Sequence, residues 1–218
     1  HTLSQIGVIH LISLDYAKAY EYFSDADYLN TTFGQVNALV QAYRAYSLIL
    51  LGRTTQGKGI LLDAMNNSPR DVDMQHRLQV ISISIAAFLQ DYAQVRDQAF
   101  SFVQQEAVNP ILKARTYLWL GLASHDLGTT DAISHLYKAL EDEQAYAGRD
   151  GWLCYAILAQ CLSDTAEKMY HYQLASQLIQ ERATTLDASP EIRDAFINSK
   201  FVKRVLKYAG SNNDLVVE

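Results

Sequence analysis

The chain has 218 residues, of which 49% are hydrophobic and 11% aromatic, so it is long enough to bury a substantial core as one domain. Its formal net charge of -6 argues against general nucleic-acid binding, which depends on basic contacts to phosphate. No apolar run reaches the roughly 18 to 20 residues of a membrane span, and no basic stretch followed by an apolar segment opens the chain, so we expect a soluble protein.

Two further features of the composition bear on where the protein works. Cys154 and Cys161 are the only cysteines, and on one helix their Cα atoms lie about 10.5 Å apart, too far for a disulfide. Two reduced thiols favour the cytoplasm. The chain opens at His1 rather than Met, which suggests a piece of a longer protein, although a tag remnant would look the same.

The first two segments each predict a pair of amphipathic helices. In residues 1–32, Gly7 lies on the first helix, and an apolar face recurs at helical spacing on the second: Ala19, Phe23 and Ala26. Residues 33–70 repeat the arrangement, with a small residue on the first helix, a glycine turn, an apolar second helix and a late proline: Ala45, Gly52, Gly57, Leu61, Ala64 and Pro69.

The third segment is degenerate and the fourth is clear. Residues 71–108 have Ile83 and Phe102 where the other pairs carry small residues. Residues 109–146 place Tyr117, Leu120 and Gly121 at i, i+3 and i+4, then the turn Leu127-Gly128, then Ala132, Leu136 and Ala139.

The fifth segment, residues 149–187, predicts one helix over 151–162 and a longer one over 165–186, and a capping helix follows over 190–208. We expect the cap to bury Ile197, Phe201, Val205 and Tyr208. Its opposite arc carries Lys200, Lys203, Arg204 and Lys207, for which a solvated face is favoured over an acidic partner or another domain. Residues 210–218 have no periodicity and are predicted to be disordered. Eleven helices are expected in all.

A fixed period connects the five segments. Gly7, Ala45, Ile83, Gly121 and Ala159 follow one another at intervals of 38 residues, and four of the five are small, which is typical of a solenoid. The fourth segment resembles the tetratricopeptide repeat, with pattern W-x2-L-G-x2-Y followed by A-x3-F, although Tyr117 and Ser124 depart from it and the family period is 34. The four extra residues fit longer helices or longer connections equally well. The resemblance implies an all-α, right-handed solenoid of about five helical hairpins and a C-terminal capping helix.

The run SPEIRDAFINSKFVKRVL, residues 189–206, carries a second resemblance. It is similar to the ending of repeat regions at the C-terminal end of large bacterial signalling ATPases and transcriptional regulators, with Lys203 in place of Arg. This implies a sensory or docking arm whose nucleotide-binding or DNA-binding domains lie elsewhere in a longer protein.

The repeat resemblance also implies a concave groove lined by the first helix of each pair. Carried onto this sequence, its candidate partner-binding residues are Tyr46, Arg77, Ser84, Arg115, Leu122, His125 and Gln160. Arg77 and Arg115 are 38 residues apart, which places them on neighbouring helices about 10 Å apart, where two planar donors can grip carboxylates. The alternative is that each pairs with a nearby acid, such as Asp73 with Arg77.

No catalytic, cofactor or metal motif is present in the sequence, and the six histidines are scattered. We therefore predict no enzyme, no cofactor and no metal. The favoured function is a protein-interaction or regulatory domain, whose partner is a protein or peptide of acidic character, or another domain of the same chain. The alternatives are a ligand- or peptide-sensing domain using the groove, and a stand-alone adaptor or chaperone. No nucleic-acid or membrane partner is expected.

Overall fold

The fold is all-α in the computed structural model of the chain, which describes residues 2–68, 71–141 and 150–210. These residues contain twelve helices and no strand. The helices are α1 Thr2–Ile12, α2 Tyr16–Thr32, α3 Ala38–Leu50, α4 Thr54–Asn66, α5 Val72–Phe88, α6 Tyr92–Val103, α7 Pro110–Asp126, α8 Ala132–Leu140, α9 Gly151–Cys161, α10 Thr165–Thr185, α11 Pro190–Asn198 and α12 Lys200–Tyr208.

The helices pack mainly against their neighbours in the sequence. Each of α1 to α9 contacts the next helix along the chain, and each odd-numbered helix from α1 to α7 also contacts the next odd-numbered one. The odd-numbered helices therefore form a continuous layer. Several helices begin after a residue whose side chain accepts a hydrogen bond from the first turn and so caps the helix: Asp15, Asn37, Asp71, Asp91 and Asp164.

The 38-residue period is present in the backbone of the turns. Leu14, Gly52, Gln90 and Gly128 follow the odd-numbered helices α1, α3, α5 and α7, and all four have a positive φ, between 61° and 83°. The residue after each one donates its backbone N–H to a carbonyl five residues earlier, at 2.9 to 3.0 Å. This is the helix ending in which a left-handed residue lets the chain satisfy its last carbonyls.

The five residues that define the period in the sequence are all buried: Gly7, Ala45, Ile83, Gly121 and Ala159. Two of the glycines permit very close helix contacts. A Cβ atom on Gly7 would lie 2.9 Å from the ring of Phe23, and one on Gly121 would lie 2.6 Å from Cγ of Leu136. The small residues at this register therefore set how closely the paired helices approach.

The prediction of one capping helix over 190–208 is wrong. The chain leaves the helical conformation at Ser199, whose ψ of 144° is extended and whose hydroxyl caps α12 by accepting from the backbone N–H of Val202. The restart changes which residues face the core, so Phe201 and Tyr208 are each 51% exposed rather than buried. The predicted burial of Ile197 and Val205 is confirmed, and Phe196, Val202, Leu206 and Ala209 are buried as well.

The turn between α1 and α2 contacts the last helices of the fold, although the two parts are distant in sequence. Arg182 on α10 is only 6% exposed, and its Nη2 donates to the backbone carbonyl of Ile12 at 3.0 Å. Its guanidinium group also lies over the ring of Phe196, 5.1 Å from the ring centre. Leu14 packs against the apolar cluster formed by α9 to α12. We call this set of interactions the closing contact.

Several sequence expectations can be placed against the described residues. The predicted helices of the fifth segment are confirmed to within one residue at their C-terminal ends, and Cys154 and Cys161 are both free thiols. The extra length relative to a 34-residue period lies partly in long helices, since α2, α5 and α7 each have 17 residues. None of the helices in the described ranges is long and apolar enough to cross a membrane. Pro69 and residues 211–218 lie outside the described residues.

Candidate functional site

A cavity of about 190 Å³ lies against the layer of odd-numbered helices. Side chains of α1, α3, α5 and α7 line it, together with the residues that precede α7 and α9. We call it the groove cavity, and its lining residues are Leu11, Tyr43, Tyr46, Arg77, Val80, Ile81, Ser84, Asn109, Ile111, Leu112, Arg115 and Asp150. An apolar surface bearing a few convergent polar groups is the usual composition of a binding site.

Both predicted arginines lie at this cavity, and each already has a carboxylate partner. Nε of Arg77 lies 2.7 Å from Oδ2 of Asp73, one helical turn earlier, as in the alternative given by the sequence. Nε of Arg115 lies 3.3 Å from Oδ2 of Asp150. The two pairs differ in exposure, because the Arg77 side chain is 42% exposed and that of Arg115 only 20%. The cavity wall therefore has two guanidinium groups and one carboxylate, that of Asp150, while Asp73 pairs with Arg77 from outside the lining.

Asp150 is a cavity-lining residue that the sequence interpretation did not identify. It occupies the position immediately before α9, where an aspartate usually caps the helix, yet its side chain makes no capping hydrogen bond. Its carboxylate is directed to Arg115 instead. An aspartate at a helix start is so often explained by capping that its position gave no signal of this second role.

Ser84 lies at the cavity but has a structural role as well. It is 2% exposed, donates to the carbonyl of Val80 at 2.8 Å and accepts from Nε1 of Trp119 at 2.9 Å. The second hydrogen bond ties α5 to α7 across the layer that lines the cavity. Replacing Ser84 would therefore disturb helix packing along with the cavity wall.

Tyrosines form the α3 side of the cavity. Tyr46 is 9% exposed, and Tyr43 stacks on Phe23 with ring centres 5.3 Å apart. Burial raises the pKa of nearby Tyr16, and the proximity of Tyr46 raises it further. The Tyr16 hydroxyl is therefore neutral at physiological pH.

The other three candidate residues do not line the groove cavity. Leu122 is half-buried and packs against the cluster shared by α7, α8 and α9. His125 is half-buried in the last turn of α7. Gln160 is exposed, and its amide nitrogen lies 3.4 Å from the carbonyl of Ala156. The structure thus brings together Tyr46, Arg77, Ser84 and Arg115, and leaves the remaining candidates farther along the odd-numbered helices.

The thiols are poor nucleophiles in this environment. Burial raises the pKa of Cys154, and it raises the pKa of Cys161 to about 11. Since the thiolate is the reactive form, both side chains are protonated at neutral pH. In the described part of the chain no three potential ligand side chains come close enough to hold a metal ion. The groove cavity is suited to holding a molecule by shape, hydrogen bonds and charge.

Comparison with known proteins gives no relative from which a role could be transferred: no family model, characterised protein or solved structure matches the chain significantly.

Proposed function

We propose that the chain is a protein-interaction domain of the tetratricopeptide type, a right-handed solenoid that binds an acidic peptide segment in its concave groove. The observation that supports this proposal best is the shared location of Arg77, Arg115 and Tyr46 at one cavity on the odd-numbered helices. The 38-residue recurrence of buried positions and of left-handed turn residues supports the repeat architecture.

The size of the cavity favours a peptide over a large cofactor. Sites for drug-sized ligands usually measure about 300 to 1,000 Å³, whereas this cavity measures about 190 Å³. It is large enough for one or two side chains of a partner, while the rest of the partner lies along the layer of odd-numbered helices. The apolar residues Leu11, Ile81 and Leu112 would contact the stem of such a side chain.

The charges favour an acidic partner that displaces an internal carboxylate. A guanidinium group has five N–H donors in a planar fork, so pairing through Nε with Asp73 does not exhaust Arg77. The exposed Arg77–Asp73 pair contributes little to stability, and an incoming carboxylate can replace Asp73 at small cost. In this proposal the domain acts as the docking arm of a larger bacterial signalling or transcription-regulating protein in the cytoplasm.

The groove assignment is tested with the variants Arg77→Ala and Arg115→Ala. Binding of an acidic peptide, measured by calorimetry, should weaken by about 1.5 to 3 kcal/mol for each, the usual range for hydrogen bonds to charged groups. Arg96→Ala is the matched control, because Arg96 is an exposed, aspartate-paired arginine on α6 outside the cavity. Asp73→Asn should strengthen binding, since it removes the competing carboxylate. Equal losses in all three arginine variants, or weaker binding by Asp73→Asn, would contradict the assignment.

A second candidate function, ligand sensing, is favoured by the closing contact. Leu11 lines the groove cavity, and the carbonyl of the next residue, Ile12, accepts the hydrogen bond from Arg182. A ligand that displaced α1 would therefore also disturb the contact between the first turn and α10. The two functions are separated by scattering measurements on the bound protein, because only sensing requires a change in overall dimensions when the cavity is filled.

A further inference from the structure

A basic surface lies on α12, on the side of the helix that faces away from the core. At 100° per residue, the buried residues Val202, Val205, Leu206 and Ala209 occupy an arc about 100° wide. On the opposite side four cations occupy another arc of about the same width: Lys200, Lys203, Arg204 and Lys207. All four are exposed. Phe201 and Tyr208 lie two helical turns apart along one edge of the basic arc, each 51% exposed. We call the four cations and two aromatic residues the α12 strip.

The cations of the α12 strip differ from most arginines of the chain in their partners. Arg44, Arg77, Arg96, Arg115 and Arg193 each form an ion pair with an aspartate. None of the four α12 cations has an ion pair with any residue that the structure describes. Lys58, Lys113 and Lys168 also lack an ion pair with the described residues, so the α12 strip is distinguished by having four such cations on one face of one helix.

The arrangement also costs the isolated domain some stability. Lys200 and Arg204 are at i and i+4, as are Lys203 and Lys207, and like charges at this spacing destabilise a helix. The half-exposed rings of Phe201 and Tyr208 add apolar surface in contact with water. The ring of Tyr208 also packs on that of Tyr172 of α10, with ring centres 5.2 Å apart, whereas the other core contacts of α12 come from the opposite face.

We propose that the α12 strip is a docking surface for an acidic protein segment that carries apolar residues beside its carboxylates. The carboxylates pair with the four cations, and the apolar residues cover Phe201 and Tyr208. The charge distribution of the protein favours binding of a short acidic segment over binding of an extended anion such as a membrane surface or a nucleic-acid strand. The rest of the chain is more acidic than the net charge of -6, and it would repel a large negatively charged surface. A segment confined to the strip, about 13 Å long, interacts mainly with charges within a Debye length of about 8 Å. This surface is independent of the groove cavity.

The proposal is tested with a labelled synthetic peptide of 14 residues, with glutamates on one helical face and leucines on the adjacent face, followed by fluorescence anisotropy. The double variant Lys203→Glu/Lys207→Glu should raise the Kd by about tenfold or more, because it removes two attractive charge pairs and replaces them with repulsion. The matched control Lys58→Glu/Arg96→Glu makes the same change in net charge at exposed sites on α4 and α6, and its Kd should change less than threefold.

A third variant tests the aromatic edge. Phe201→Ser should weaken binding of the glutamate–leucine peptide about fivefold, and should leave unchanged the binding of a peptide with serine in place of leucine. The melting temperatures of all variants should stay near that of the wild type, because the replaced side chains are exposed. Stable folding with selective loss of the peptide supports the proposal.

Four results would overturn it. They are an equal loss in the control variant, no binding of the peptide at low salt, loss of the peptide in Arg77→Ala/Arg115→Ala, and tighter binding of phosphatidylserine vesicles or oligo-dT than of the peptide at the same salt. The third result would assign the peptide to the groove cavity. The last would show that the strip recognises an extended anion.

Discussion

The α7–α8 pair and the α5–α6 pair are each joined by a turn of the same backbone conformation. They differ in the residue at the 38-residue register and in the residue with positive φ. In the first pair, buried Gly121 lies against Leu136 and the left-handed residue is Gly128. In the second, the same positions are occupied by Ile83, which is 1% exposed, and by Gln90, whose φ is 61°. The hydrogen bond across the turn is nonetheless the same, from Thr129 to Ser124 in one and from Asp91 to Ala86 in the other.

This comparison shows that the two turns share their backbone hydrogen bond although only α6 has a side-chain cap, and that glycine is the favourable residue without being required. A left-handed conformation costs a residue with a side chain roughly 1 to 2 kcal/mol. The side chain of Asp91 partly offsets that cost by capping α6, where it accepts from the backbone N–H of Gln94 at 3.2 Å. The bulk of Ile83 is accommodated by the surrounding cluster, which includes Val95, Ala99 and Phe102.

The largest expected effect comes from filling the glycine contact of the α7–α8 pair. Gly121→Leu should lower the free energy of unfolding by about 3 kcal/mol, because even a Cβ atom there would lie 2.6 Å from Leu136, a fully buried side chain. Gly59→Leu is the control, since a Cβ atom on that helical glycine would meet no atom within 4 Å. Chemical denaturation measures both. A loss as large for Gly59→Leu would mean that helix geometry, and not the close contact, is responsible.

Substitutions at the positive-φ residue of the turn should change the stability by an intermediate amount, with opposite sign in the two helix pairs. Gln90→Gly should stabilise the protein by about 0.5 to 1 kcal/mol, because glycine adopts a positive φ without strain. The reciprocal change Gly128→Gln should destabilise by about 1 kcal/mol. Its side chain would meet no neighbour within 4 Å of Cβ, so the backbone alone accounts for the change. The melting temperatures of the two variants should therefore shift in opposite directions. Shifts of the same sign would contradict the conclusion that glycine is the favourable residue at this turn position.

The smallest effect concerns a hydrogen-bond network found at the α7–α8 turn. The hydrogen bond from Thr129 lowers the pKa of Asp131 to about 2, with a smaller contribution from His135. Because the folded-state pKa is below the ordinary value of about 3.8, the stabilisation is complete above that pH and is lost as the pH falls through 2. The Asp131 side chain is 54% exposed, so we expect Asp131→Asn to cost only a few tenths of a kcal/mol at pH 6.

The test is the pH dependence of that cost. The difference in the free energy of unfolding between wild type and Asp131→Asn should disappear near pH 2. In a Thr129→Val background, Asp131→Asn should cost much less at every pH. A difference that persists unchanged at pH 2 would show that the aspartate acts through packing and not through its charge.

The sequence was sufficient to predict the helix pairs because their signals are local. Glycines at 52 and 128 marked two turns, and the 38-residue spacing located the degenerate third pair despite Ile83. The split at Ser199 was missed because apolar residues at helical spacing continue across it, and a serine inside such a pattern does not by itself predict a break. The burial of Val202 and Leu206 depends on the new helix direction.

The candidate site was predictable only in part, for a physical reason. Tyr46, Arg77, Ser84 and Arg115 lie on adjacent helices of one layer, so a repeating pattern is enough to bring them together. Asp150 and the closing contact depend on how several helix pairs pack in succession, because any difference in packing at one pair adds to that at the next. A position such as that of Arg182 relative to Ile12 is the sum of these differences, and no local spacing in the sequence encodes it.

The closing contact has a consequence for how the chain matures on the ribosome. The hydrogen bond joins residues 170 positions apart in the sequence. At roughly 5 to 20 residues per second, translation therefore separates the synthesis of Ile12 from that of its partner by about 10 to 30 s. During that interval α1 and α2 can pack together and onto α3, but Leu14 and the carbonyl of Ile12 lack the residues that cover them in the complete fold. The N-terminal helix pair must therefore wait for α10 and α11 before it is fully protected, and this exposed intermediate is the stage at which we expect chaperones or proteases to act on the nascent protein.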